Sequence, residues 1–106
     1  MLLNKLLSEV ETINTVGDLN LDITNIHSDS RKIKEGALFV AINGFSKNGI
    51  DFIPDAIKNG AKAIIVEPDV DINSLNLGNN ITVISVKNTR KALAQTEVEV
   101  ITKNII

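Results

Sequence analysis

Residues 37–66, ALFVAINGFSKNGIDFIPDAIKNGAKAIIV, decide the fold. The opening run Ala37-Leu38-Phe39-Val40-Ala41-Ile42 is continuously apolar and of strand length. Such a run suits a strand buried on both faces, as in parallel sheets. Residues 43–50 (NGFSKNGI) are a polar, glycine-punctuated loop. Asp51 is then placed to cap a helix beginning FIPDAIKN, with Pro54 tolerated in its first turn. Phe52, Ile53, Ala56 and Ile57 supply its apolar face, and Gly60 ends it as a C′ glycine. Residues 63–66 (AIIV) read as the next buried strand. The whole is a strand–loop–helix–strand unit of about thirty residues, the size of a βαβ crossover.

Outward from this unit, residues 67–80 (EPDVDINSLNLGNN) form a long polar connection with room for one helical turn. Residues 81–86 (ITVISV) are a third buried strand, after which Asn88 or Thr89 caps a helix starting TRKALAQT. On the other side, Leu2, Leu3, Leu6 and Leu7 share one face at helical spacing, so residues 2–9 read as a short amphipathic helix. Val16-Gly17-Asp18 and Lys34-Glu35-Gly36 read as turns. Between them residues 23–28 alternate as a strand with one mixed face. At the far end Val98, Val100 and Ile101 fit a strand as well as a helix tail. The order predicts a small α/β domain, two-layer or three-layer, with a largely parallel sheet. No repeat, low-complexity tract or linker divides it.

The chain has 106 residues, the length of one domain. That suffices for one core and leaves no large cleft between lobes. Apolar residues make up 43% and charged ones 23%, an ordinary globular balance. The formal charge is −2 and no long basic stripe exists, which argues against a nucleic-acid partner. Cysteine is absent, so disulfides, thiol catalysis and thiolate metal sites are excluded. The single histidine, His27, excludes a multi-histidine metal site within one chain. Nothing resembles a signal peptide. The apolar run at residues 37–42 is far below the ~20 apolar residues of a membrane span. A cytoplasmic protein without a membrane partner is expected.

Two segments could carry chemistry. Ser28-Asp29-Ser30-Arg31 closes a strand, and its hydroxyls, acid and planar guanidinium can hold an anion or a nucleobase edge. The same residues also make an ordinary turn, with Arg31 paired to Asp29. In the loop Gly44-Phe45-Ser46-Lys47-Asn48-Gly49 the glycines admit a ligand to the backbone. Phe45 offers a stacking face, and Ser46 and Lys47 can meet phosphates. This loop lies between a buried strand and a helix, where α/β sheets bind ligands, although it matches neither common phosphate-loop pattern. An ordinary connecting loop is the alternative. Thr89-Arg90-Lys91 starts a helix with cations, against the macrodipole; it reads either as a cation aimed at an anionic ligand or as a solvated face. His27, and the acids Glu67, Asp69 and Asp71, are better read as solvated groups than as a metal site. No nucleophile–base pair or triphosphate cradle is present, so no catalytic residue is assigned.

The ordered set Asp29-Ser30-Arg31-Lys32, Gly36-Ala37-Leu38-Phe39-Val40-Ala41-Ile42, Gly44-Phe45, Asn48-Gly49, Asp51-Phe52-Ile53, Ala56-Ile57 and Gly60-Ala61 resembles the N-terminal domain of the Mur ligases. So does the close, Thr82-Val83-Ile84 and Asn88-Thr89-Arg90-Lys91-Ala92-Leu93-Ala94. The forms at 29–32 and 44–45 are most similar to the ligase that adds lysine or diaminopimelate to UDP-N-acetylmuramoyl-L-alanyl-D-glutamate. The ligase that adds D-alanyl-D-alanine is the alternative member. The resemblance implies a UDP-binding domain over residues 1–94, not catalytic alone. It implies ATP and magnesium for the full-length enzyme but no cofactor in this chain, which has no Gly-Lys-Thr.

Carried over residue by residue, the resemblance implies substrate contacts at Ser28 and Ser30 for uridine, and at Phe45, Ser46 and Lys47 for uracil and diphosphate. The implied partner is a UDP-N-acetylmuramoyl-peptide. The chain departs from the family pattern at Asn48-Gly49-Ile50, where Asp-Gly-His is usual, and over residues 95–106, a tail of its own. These departures suit a different role, a non-catalytic assembly module that forms a homodimer through its apolar tail.

Overall fold

The computed structural model describes residues 1–44, 48–75, 77–78 and 80–104. Its sheet has five strands: β1 (Thr12–Val16), β2 (Ile26–His27), β3 (Leu38–Val40), β4 (Ala63–Val66) and β5 (Thr82–Val86). Their order across the sheet is β1-β5-β4-β3-β2, with β1 antiparallel to β5 and the other pairs parallel. Leu38 faces Ala63 and Ile64 faces Val83 in register.

Strand alternation sends neighbouring side chains to opposite faces, and here both faces are covered. Leu38, Val40, Ala63, Ile65, Ile84 and Val86 pack with Leu3 and Leu6 of α1 (Leu3–Leu6) and Ala92 of α3 (Thr89–Asn104). Phe39, Ile64, Val66 and Val83 pack with Ile53 and Ala56 of α2 (Ile53–Lys58). The domain is therefore three-layered, with α1 and α3 on one side and α2 on the other. This is why residues 37–42 and 63–66 read as unbroken apolar runs, while β5 buries two polar residues, Ser85 and Thr82, the latter donating its hydroxyl to the Asp18 carbonyl at 2.7 Å. The connection after β4 makes one 3-10 turn over Ile72–Leu75, and Val70, Leu75 and Leu77 lie half-buried on the α2 side.

Some local expectations are corrected. Strand β1 is absent from the sequence reading because all five of its residues are exposed, so burial imposes no pattern on it. The N-terminal helix is shorter than residues 2–9; Leu2 is exposed, while Leu7 and Val10 are buried just past α1. The strand expected over residues 23–28 shrinks to Ile26–His27. Before it, Thr24 is bonded to the turn at 35–36, its N–H to the Gly36 carbonyl and its hydroxyl to the Glu35 carbonyl. Asp51 does not cap α2. A 3-10 turn over Gly49–Phe52 runs directly into the helix, and Phe52 occupies the cap position.

Two expected turns meet. Gly60 closes α2 at φ +117°, and its carbonyl accepts from the Gly36 N–H at 2.8 Å. A Cβ on Gly60 would lie 2.5 Å from Glu35 Cα, so both its left-handed backbone and this approach require glycine. At the other end, Asn88 is the cap of α3, its Oδ1 accepting from the Lys91 N–H at 3.0 Å. The ambiguous segment after Ala94 is helix: α3 continues to Asn104.

Candidate functional site

Parallel β2 and β3 end side by side, and a pocket of about 400 Å³ opens beyond their carboxyl ends. That is where open α/β sheets commonly take ligands. One wall is Ser28, Asp29, Ser30 and Arg31; the other is Ile42, Gly49, Phe52 and Asp55. A larger depression, about 550 Å³, lies between α1, β2 and α3. Among the described residues it is lined by apolar groups with Thr24, Asn25 and Glu97, and by no serine pair or basic side chain, so the first pocket is the better candidate.

The first wall is shaped by Asp29. Its Oδ1 accepts from the Arg31 backbone N–H at 3.0 Å, starting a 3-10 turn over Ser30–Lys32. The Arg31 guanidinium returns to the same carboxylate through Nε at 3.1 Å and Nη2 at 2.9 Å. This two-pronged bond, then the backbone N–H, holds the Asp29 carboxyl down at about 2 from an ordinary 3.8. Arg31 is correspondingly raised by its bond to Asp29. Of the two readings of this segment, the structure realises the paired turn: the guanidinium fork is committed to Asp29. Beneath it, Asn59 Nδ2 donates to the Ser30 carbonyl at 2.8 Å and ties the turn to the end of α2. Ser28 is exposed and Ser30 buried, and neither hydroxyl has a hydrogen-bond partner among the described residues.

The second wall is the base of the loop after β3. Asn43 and Asn48 pair as an antiparallel bridge, and the Gly49 N–H donates to the Ile42 carbonyl at 3.0 Å. A Cβ on Gly49 would stand 2.5 Å from the Ile42 nitrogen. Only glycine permits that approach, although its backbone angle is ordinary. The structure thus brings Ser28 and Ser30 opposite the loop base. Phe45, Ser46 and Lys47 lie outside the described residues.

Sequence reasoning missed Ile42, Phe52 and Asp55 as wall residues and Asn59 as a support. By sequence Ile42 reads as part of a strand and Phe52 as part of a helix face, and the pocket arises only where those elements end together. Arg90, Glu67 and Asp71, three of the remaining candidates, are hydrogen-bonded within the domain. Arg90 Nη2 donates to the Asn43 carbonyl at 3.2 Å. Glu67 accepts from Asn43 at 3.3 Å, and Asp71 accepts from the Asn73 N–H at 3.1 Å. Among the described residues no three acids or histidines gather as a metal site. No helix among them is long and apolar enough to cross a membrane.

The family model described as "Mur ligase family, catalytic domain" matches residues 22–97. The chain belongs to the Mur ligase family. It is 45% identical over 95 residues to the UDP-N-acetylmuramoyl-L-alanyl-D-glutamate--2,6-diaminopimelate ligase of Clostridioides difficile (strain 630), covering 90% of this chain and 18% of that protein. It is 43% identical over 94 residues to the ligase of the same name from Clostridium perfringens (strain 13 / Type A), covering 89% and 18%. This Mur ligase chain therefore spans less than a fifth of the length of these relatives. Among solved structures, MurF from Acinetobacter baumannii shares the fold at a TM-score of 0.74 and 24% identity, over 98% of this chain and 21% of that one. MurF ligase from Thermotoga maritima, solved in complex with ADP, matches at a TM-score of 0.53 and 30% identity, over 68% of this chain and 15% of that one.

ATP and magnesium, which the family resemblance implies for a whole ligase, do not fit the residues present. The sequence has no Gly-Lys-Thr loop, and of the acids after β4, Glu67 is bonded to the Asn43 amide and Asp71 to the Asn73 N–H, with no three acids gathered as a metal site among the described residues. Neither group is assigned to this chain.

Proposed function

We propose that this chain is the N-terminal, UDP-binding part of a cytoplasmic Mur ligase of peptidoglycan synthesis. Its substrate would be UDP-N-acetylmuramoyl-L-alanyl-D-glutamate, to which the whole enzyme adds diaminopimelate or lysine. The observation that carries this reading is the juxtaposition of Ser28 and Ser30 with the base of the 44–49 loop, in a chain 45% identical over 90% of its length to a diaminopimelate ligase.

The chemistry of the described walls suits a nucleoside better than a diphosphate. Ile42 and Phe52 give apolar surface, and the serine hydroxyls are available to donate or accept. Arg31 is neutralised by Asp29, and the carboxylate of Asp55 faces the same space. We assign the serines to the uracil edge or ribose and Phe45 to the flank of the base. Ser46 and Lys47 are assigned to the diphosphate, for which the described walls offer no uncommitted cation. The chain binds and orients; activation and amide formation belong to the rest of a ligase. An NMR titration of the labelled chain with UDP, then with UDP-N-acetylmuramoyl-L-Ala-D-Glu, tests this. Saturable shifts at Ser28, Ser30 and residues 45–47 are expected. No shifts at millimolar ligand would overturn it for the chain as it stands.

A second reading, a homodimer through the tail, is favoured by Val98 and Ile101. They lie one turn apart on α3, and each is 58% exposed. Gel filtration tests it: a dimer lost in Val98→Glu/Ile101→Glu supports the reading, and a monomer at all concentrations sinks it.

A further inference from the structure

Asn43 stands where the ends of several elements meet. It lies just past β3. Its Nδ2 donates to Glu67 Oε2, just past β4, at 3.3 Å. Its Oδ1 accepts from the Gly49 N–H at 3.1 Å, the same N–H that reaches the Ile42 carbonyl at 3.0 Å. Its own carbonyl accepts from Arg90 Nη2, in the first turn of α3, at 3.2 Å. Ile42 and Gly49 are both wall residues of the pocket, and Gly49 is packed against Ile42 without room for a methyl group.

We infer that Asn43 is a positioning residue for the pocket, and that Arg90 fixes the pocket wall relative to α3 through it. The inference rests on the proposed uridine-nucleotide reading of that pocket. The residue type follows from the bonds. One side chain must donate to a carboxylate and accept from an amide at once, and an amide side chain does both. Aspartate would set a carboxylate against Glu67, and alanine would drop both bonds. Arg90 is a cation at a helix start, where the macrodipole disfavours it. Its bond to the Asn43 carbonyl accounts for it there, as a charge-assisted tie between helix and wall. Farther along, α3 packs against β2 and α1, so the tie joins the pocket to the opposite layer of the domain.

The test uses the full 106-residue chain, isotopically labelled, as wild type, Arg90→Gln, Arg90→Lys and Asn43→Asp. Melting temperature reports the fold, the Gly49 amide resonance and its exchange rate report the wall, and UDP titration reports the pocket. Arg90→Gln and Asn43→Asp should move the Gly49 amide and weaken UDP binding about three- to tenfold, the range for one lost hydrogen bond. Arg90→Lys, which keeps the positive charge that glutamine loses, should recover part of both. An unmoved Gly49 amide in Arg90→Gln overturns the coupling whatever UDP does. A moved amide with unchanged UDP affinity overturns the positioning role. If wild-type chain does not bind UDP, the uridine reading falls, and the Gly49 amide alone decides the coupling.

Discussion

Asp29 illustrates how one residue both builds the pocket rim and makes it sensitive to acid. Its carboxyl is held at about 2 in the folded chain against an ordinary 3.8. A depressed acid stabilises the fold above its unfolded value and loses that contribution as pH falls through the folded one. Stability should therefore fall between about pH 4 and pH 2, and less so in Asp29→Asn. Thermal melts of both proteins across that window check this, and equal slopes would refute it. The pair is exposed on the arginine side, so the effect should shrink in high salt. Ser30 makes the complementary case. Its hydroxyl has no partner among the described residues, so Ser30→Ala should leave melting nearly unchanged. UDP affinity should drop roughly two- to tenfold, as for one hydrogen bond, measured by titration.

At the scale of elements, the buried strands and the one exposed strand behaved differently. Residues 37–42 and 63–66 announce themselves as unbroken apolar runs because both sheet faces are covered, and β5 is buried in the same way with Thr82 and Ser85 as its polar members. Strand β1 is an edge, antiparallel to β5 and wholly exposed, and Thr12-Ile13-Asn14-Thr15-Val16 is free of that demand. The caps divided in the same way. Asn88 caps α3 by a local bond, one of the two adjacent cap candidates, Asn88 and Thr89, that the residues offer. Asp51 looked equivalent, but a 3-10 turn preceding α2 shifts the helix start past it. That turn begins at Gly49, pressed on the Ile42 backbone. Gly49→Ala should destabilise the domain by about 1–3 kcal/mol through overpacking, seen as a lower denaturant midpoint with an unchanged slope.

Across the whole molecule, two apolar layers share a single sheet, and Phe39 is fully buried in the α2 layer. Phe39→Ala should cost about 3–5 kcal/mol, a large part of the stability of a domain this small, and equilibrium unfolding will measure it. A ligand that binds only the folded chain raises its melting temperature with concentration. UDP should do so for the wild type and less for Ser30→Ala.

The sequence by itself determined the α/β class, the three central strands, the family, and the serine segment and loop as candidate walls. These are local or periodic signals, written in adjacent residues by burial and turn chemistry. Only the tertiary structure decided that the helices lie on both faces, and that α3 runs unbroken to Asn104. It also decided that Arg31 is spent on Asp29 and that Ile42, Gly49, Phe52 and Asp55 close the pocket. Those outcomes depend on which element ends meet across the sheet. Contacts between residues far apart in the chain leave no period or spacing for a sequence reading to detect.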